Sequence, residues 1–185
     1  MQTTETLTKT KWVIDPSHSE IGFKVKHMMF TNVRGTFKEY GASINTTSDD
    51  FLTVKIDLWI NAASINTHNE QRDADLRSAN FFEVDKFKEI KFTANSFKKL
   101  DGEGNYELYG DLIMKGIKKQ IKLNVEFAGP VKDPFGNEKA LFRIHGKINR
   151  TDWGLHWNAV LETGGVLVSE DVWINCEIQL VKQST

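Results

Sequence analysis

Five stretches of the chain alternate apolar and polar residues with period two. That is the pattern of strands with one buried and one solvated face. Ile21, Phe23 and Val25 alternate with Gly22, Lys24 and Lys26, and His27 falls in phase with the apolar set. Val54, Ile56, Leu58 and Ile60 alternate with Lys55, Asp57, Trp59 and Asn61. Further on, Ile121, Leu123, Val125 and Phe127 face away from Lys122, Asn124 and Glu126. Phe142, Ile144 and Ile148 oppose Arg143, His145 and Lys147, with Gly146 in the remaining apolar-side position. Val172, Ile174, Cys176, Ile178 and Leu180 oppose Trp173, Asn175, Glu177 and Gln179. Weaker strand patterns cover residues 12–14, 36–45, 90–97 and 106–114, and Gly, Pro, Asp and Asn clusters mark turns between them.

One segment breaks the alternation. Residues 67–78 are polar and helix-favouring, Asn69 is a ready N-cap, and Leu76 is their only large apolar residue. This predicts a short helix lying on the sheet. Eight or nine strands with one small helix make an all-β antiparallel protein. Long strands with one apolar face each are best buried by an up-and-down β-barrel of about eight strands, a size that can hold one small ligand. Residues 1–9 read as a flexible tail, and 10–182 as a single domain.

Composition narrows the function. Of 185 residues 39% are hydrophobic, enough for a sizeable core without crosslinks. The 24 basic and 25 acidic residues give a net charge of −1, so no overall basic field marks a nucleic-acid or anionic-membrane binder. No stretch is apolar enough for a membrane span or a secretory signal, and the chain as written reads as cytoplasmic, or periplasmic if a signal had been trimmed. Cys176 stands alone and permits no internal disulfide. Both N-x-T triplets, at Asn45 and Asn149, read as chance matches without a secretory route.

Catalytic motifs do not appear. The five histidines show no chelating spacing, no G-x-S-x-G is present, and the glycine pairs near 102 and 164 are turn glycines. No metal, cofactor or catalytic group is expected. Two features stand out from packing. His27 ends a strand on its apolar face, either as a core histidine or as a polar group meeting a ligand. Arg72, Asp73, Asp75 and Arg77 crowd the helix beside Phe81 and Phe82, either as a solvated face or as a lid whose phenylalanines plug the barrel mouth.

Ordered motifs carry a family resemblance. Trp12-Val-Ile-Asp-Pro-Ser-His-Ser19, Phe23-Lys-Val-Lys-His-Met28 and Val33-Arg-Gly-Thr-Phe37 open it. Ser64-Ile-Asn-Thr67, Arg72-Asp73, Leu76-Arg-Ser-Ala-Asn-Phe-Phe82, Gly110-Asp-Leu112 with Lys115-Gly116, and Asp133-Pro-Phe-Gly136 continue it. Ile148-Asn-Arg-Thr-Asp-Trp-Gly154 and Gly164-Gly-Val-Leu-Val168 complete it. From about Lys11 to Val181 the chain resembles the YceI-like family. The resemblance implies a lipocalin-like barrel, usually dimeric, around a polyisoprenoid or similar amphiphile. Asp75 departs from the pattern, since such proteins commonly have histidine there.

The resulting expectation is a non-enzymatic carrier or sequestering protein for a polyisoprenoid, isoprenoid quinone or similar lipid. Its cavity would be lined by Ile21, Phe23, Val25, Phe37 and Ile44, by Val54, Ile56 and Leu58, and by Leu123, Val125, Phe142, Ile144 and Ile174. Ser19 and His27 are expected as polar contacts, followed by Arg72 and Arg150. Two alternatives stay open: an enzyme on the same lipid with His27 as general base, and an interaction module with a solid barrel. Outside, Trp59 is expected beneath the helix and Trp173 in a homodimer contact.

Overall fold

The computed structural model describes residues 7–183. Eleven strand segments and one helix follow in order: β1 (Lys9–Ile14), β2 (Glu20–His27), β3 (Thr31–Phe37), β4 (Tyr40–Thr47), β5 (Asp50–Asn61), β6 (Ile65–Asn66), α1 (Glu70–Arg77), β7 (Glu89–Lys99), β8 (Asn105–Met114), β9 (Ile117–Lys132), β10 (Glu138–Asn149) and β11 (Asp171–Lys182). Residues 1–6 of the expected tail lie outside the described residues. Lys9 already belongs to the sheet, opposite Thr47.

The segments form eight runs of chain. Strands β1 and β2 are one run interrupted by the 3-10 turn Pro16–His18, and both lie along β11. Likewise β3 and β4 follow that run in return, and β5 with β6 follows them. Thus the weak pattern over 36–45 is two strands, broken at Lys38 and Glu39. Each later strand pairs antiparallel with its predecessor in sequence, and β1 meets β11 at Trp12↔Lys182 and Ile14↔Leu180. The result is a closed, eight-strand, up-and-down barrel with no free edge around the ring.

Period two decides inside from outside. On β9, Ile121, Leu123 and Val125 are buried while Lys122, Asn124 and Glu126 are exposed. The outer face is charged and carries ion pairs such as Arg143–Glu126 at 3.4 Å. That orientation is the reverse of a lipid-facing barrel, whose apolar band points outward. Among the described residues no helix is long and apolar enough to cross a membrane.

Where a ring needs room, glycine supplies it. A Cβ at Gly146 would stand 2.5 Å from Leu123 Cδ2, so Leu123 fills the gap read in the β10 pattern. The same device corrects the expectation for Trp59. Gly41 sits across the ladder from Trp59, and its absent side chain leaves the space that the indole occupies, 2.8 Å from an ideal Cβ. Trp59 is therefore seated on β4, 39% exposed, rather than covered by α1. Trp173 is half-buried, with Lys24 Nζ 5.5 Å from its ring centroid.

Candidate functional site

The barrel encloses a cavity of about 900 Å³. Every expected lining residue on the strands borders it: Ile21, Phe23, Val25 and Phe37; Ile44, Val54, Ile56 and Leu58; Leu123, Val125, Phe142, Ile144 and Ile174. Several of these, including Phe23, Val25, Ile56 and Ile174, are only half-buried because they face the lumen rather than packed side chains. Residues on β7 and β8 complete the wall and were not foreseen: Ile90, Phe92 and Phe97, with Leu108, Leu112 and Met114.

An aromatic floor closes one end. Phe51, Phe97 and Phe142 border the lumen there. Phe142 stacks on Phe127 with centroids 4.9 Å apart, and Phe97 on Tyr106 at 4.6 Å. Trp12 backs Phe51 at 4.8 Å, is fully buried, and donates from Nε1 to Thr46 Oγ1 at 3.0 Å. These rings pack tilted or offset, the arrangements their quadrupoles favour.

The other end is the mouth, and α1 sits on it. Asn69 Oδ1 accepts from the Arg72 N–H at 2.9 Å and starts the helix as expected. Asp73, 2% exposed, accepts from Thr67 N at 2.9 Å and Thr67 Oγ1 at 2.5 Å. Arg77 Nε donates to the Ala63 carbonyl at 2.9 Å. The helix is thus tied to the β6 region by polar bonds, and Leu76 is turned to the lumen. Phe81 and Phe82 follow into the opening, Phe81 against Trp157 at 5.5 Å and Phe82 edge-on to Phe37 at 6.1 Å. The segment combines exposed charges at Arg72 and Asp75 with Phe81 and Phe82 set at the opening.

Among the described residues, the polar side chains that border the lumen gather at this end: His27 from β2, Thr67 after β6, Asn69, Gln71, Arg72 and Asp75 from α1 and its cap, and Arg150. Arg72 is exposed and is aimed by Nε to Thr67 Oγ1 and Nη2 to Thr67 O, both 2.7 Å. Among the described residues the His27 ring forms no hydrogen bond, so it is not a core histidine held by a carbonyl.

Two expected polar contacts are placed differently. Ser19 lies off the lumen, where its hydroxyl accepts from Gln179 N at 3.0 Å and joins β11 beside the 3-10 turn. Arg150 borders the cavity but is 4% exposed and held by backbone carbonyls: Leu155 at 2.6 Å, Ser169 at 2.9 Å and Val168 at 3.4 Å. Burial lowers its pKa from the ordinary value. Its donors fasten the connection over 155–169 across the mouth, and no carboxylate pairs with it among the described residues. Cys176 faces the lumen, and burial pushes its thiol up to about 11, which keeps it an inert neutral group. Among the described residues no three His, Cys, Asp or Glu side chains gather to hold a metal.

Comparison with known proteins agrees with this architecture. The YceI-like domain family matches residues 12–180. UPF0312 protein SAS2572 of Staphylococcus aureus (strain MSSA476) is 37% identical over 164 residues, covering 88% of this chain and 92% of that one. The crystal structure of the Campylobacter jejuni YceI protein superposes with a TM-score of 0.73 at 32% identity, over 86% of this chain and 90% of the other. A polyisoprenoid-binding domain from Saccharophagus degradans shares the fold, with a TM-score of 0.68 at 14% identity over 93% of this chain and 98% of that one. With the matched span covering nearly every strand of the barrel, the chain belongs to the YceI-like family.

Proposed function

We propose that this protein binds and carries a long-chain amphiphile of the isoprenoid type. The tail lies in the lumen and the headgroup at the mouth, near His27 and Arg72. The observation that carries the reading is the distribution of polarity: apolar walls over about 900 Å³, with polar side chains confined to one end. The polyisoprenoid-binding neighbour supports the ligand class.

Size sets the tail length. At roughly 30 Å³ per heavy atom, the liquid share of a water-sized group, the lumen takes about thirty heavy atoms, or some six isoprene units. At about 0.3 kcal/mol per heavy atom, thirty atoms contribute roughly 9 kcal/mol. That corresponds to a dissociation constant near or below about 1 μM, reached without a single hydrogen bond.

Extraction of the purified protein followed by mass spectrometry tests the reading, together with titration by a fluorescent isoprenoid. Bound lipid and saturable uptake are the expected results. Failure of both would favour the interaction module, and turnover of the lipid the enzyme. His27→Leu is expected to weaken a prenyl pyrophosphate or quinone more than the plain hydrocarbon. The proposal includes a homodimer through the outer face of β11 at Trp173, for which Trp173→Glu should lower the sedimentation coefficient.

A further inference from the structure

Two hairpin tips meet at one side of the mouth. The first joins β2 to β3 through Met28, Met29 and Phe30, with Met28 and Met29 at φ of 51° and 65°. Left-handed backbone is uncommon for such side chains and persists only where the surroundings impose it. The second hairpin covers residues 159–167, closed by Leu167 N to Ala159 O at 2.8 Å and by the Val160↔Val166 bridge. The tips are fastened together. Met28 N donates to Leu167 O at 2.8 Å, His27 pairs with Val168, and Met29 Sδ lies 3.0 Å from an ideal Cβ on Gly165.

Their apolar side chains point to solvent. Met28 is 56% exposed, Met29 59%, and Phe30 and Val160 85% each. Exposed apolar residues also occur at the opposite end, at Leu100, Val131 and Phe135, but the four here lie on two tips hydrogen-bonded to each other and form a patch. The balanced charge of the whole chain hides a local exception beneath it. Residues 21–38 carry Lys24, Lys26, Arg34 and Lys38 and no acidic residue. Lys26 and Arg34 are exposed behind the tip, whereas Lys38 lies past the far end of β3. The first hairpin is therefore an apolar tip on a basic stalk, and the second adds Val160 together with one exposed acidic residue, Glu162.

We propose that the two hairpin tips dock the mouth of the barrel onto an anionic lipid surface. Apolar side chains of this size enter the boundary between headgroups and acyl chains, while lysine and arginine behind them meet the phosphates. A second copy seated symmetrically on the first hairpin would set Lys26 and Arg34 of the two chains against each other, and like charges in contact are disfavoured. His27, Trp157 and Val168, which adjoin these tips, border the lumen. A tail leaving the bilayer would reach the cavity without crossing water, and this last step rests on the lipid-carrier reading.

Co-sedimentation with phosphatidylcholine vesicles, with and without phosphatidylglycerol, tests the docking. The wild type should bind the anionic vesicles, with binding reduced by salt. Phe30→Asp/Val160→Asp and, separately, Lys26→Glu/Arg34→Glu should each weaken that binding about tenfold or more, since each removes one component of the attraction. None of these four residues borders the lumen, so both variants should retain uptake of a fluorescent isoprenoid. Absence of vesicle binding by the wild type would overturn the docking and leave the lumen reading standing. Equal binding by wild type and both variants would overturn it too, as would a wild-type dimer that Phe30→Asp dissociates. Vesicle binding without isoprenoid uptake would instead sink the carrier reading and keep the surface.

Discussion

Ala42→Trp is the sharpest test of where the ligand tail goes. Ala42 borders the lumen from β4, opposite Leu58, so an indole there projects into the space the tail would fill. The substitution adds about nine heavy atoms, or roughly 270 Å³ at about 30 Å³ each, from a lumen of about 900 Å³. That removes room for just under two isoprene units. With each five-carbon unit contributing about 1.5 kcal/mol at roughly 0.3 kcal/mol per atom, wild-type affinity should rise about tenfold per unit. It should level off near six units, and the variant should level off near four. Prenyl alcohols of two to eight units, competed against a fluorescent probe, give both curves, with circular dichroism confirming that the variant is folded. A folded variant whose plateau matches the wild type would show that the tail does not occupy this lumen.

Arg150→Met should lower the melting temperature by roughly 6–12 °C, because buried carbonyls of the 155–169 connection lose a charged donor worth about 3 kcal/mol; an unchanged thermal melt would refute the clamp. Cys176, with its thiol pushed up to about 11 by burial, should react with thiol reagents at pH 8 only as fast as the protein unfolds. Rapid labelling of native protein would contradict that burial. Asp15 is held well below the usual carboxylate range, first by the Ser17 hydroxyl at 2.7 Å and then by His18 at 2.8 Å, with Lys139 at 3.4 Å. A depressed carboxylate stabilises the fold above its unfolded value, near 4, and loses that contribution as pH falls toward its folded value. Thermal melts of Asp15→Asn should therefore fall below wild type at pH 6 and converge with it toward pH 2; a constant gap would refute the assignment.

Local sequence carried the barrel wall wherever one face alone was apolar. On β9 and β11 the alternation predicted the inward residues one by one. On β8 both phases hold apolar side chains, with Ile113 and Tyr109 opposing Leu112 and Leu108, and the period blurs. On β7 the register shifts between Ala94 and Ser96, so Phe97 rather than Ser96 turns inward, and simple alternation misplaces it. The mouth was less legible because its contacts join distant parts of the chain. Ser19 looked available for a ligand, but its partner Gln179 lies 160 residues away. Arg150 reads from sequence as a headgroup contact, but backbone carbonyls of Leu155 and Ser169 take its donors. Nothing near Trp59 in sequence marks Gly41 as its seat. The joined tips at Phe30 and Val160 are neighbours only because β2 and the second hairpin are tied through Leu167.

The pairing of β1 with β11 also fixes when the lumen comes into being. Neighbouring strands in this meander are neighbours in the chain and can zip locally, but Trp12 meets Lys182 only after the last strand emerges from the ribosome. Until then the nascent sheet must carry its greasy face uncovered and its two margins unpaired, the condition in which chains stick to one another. Expression that outruns chaperones should fail at this final closure. Truncation before β11 would then yield aggregates rather than a smaller container.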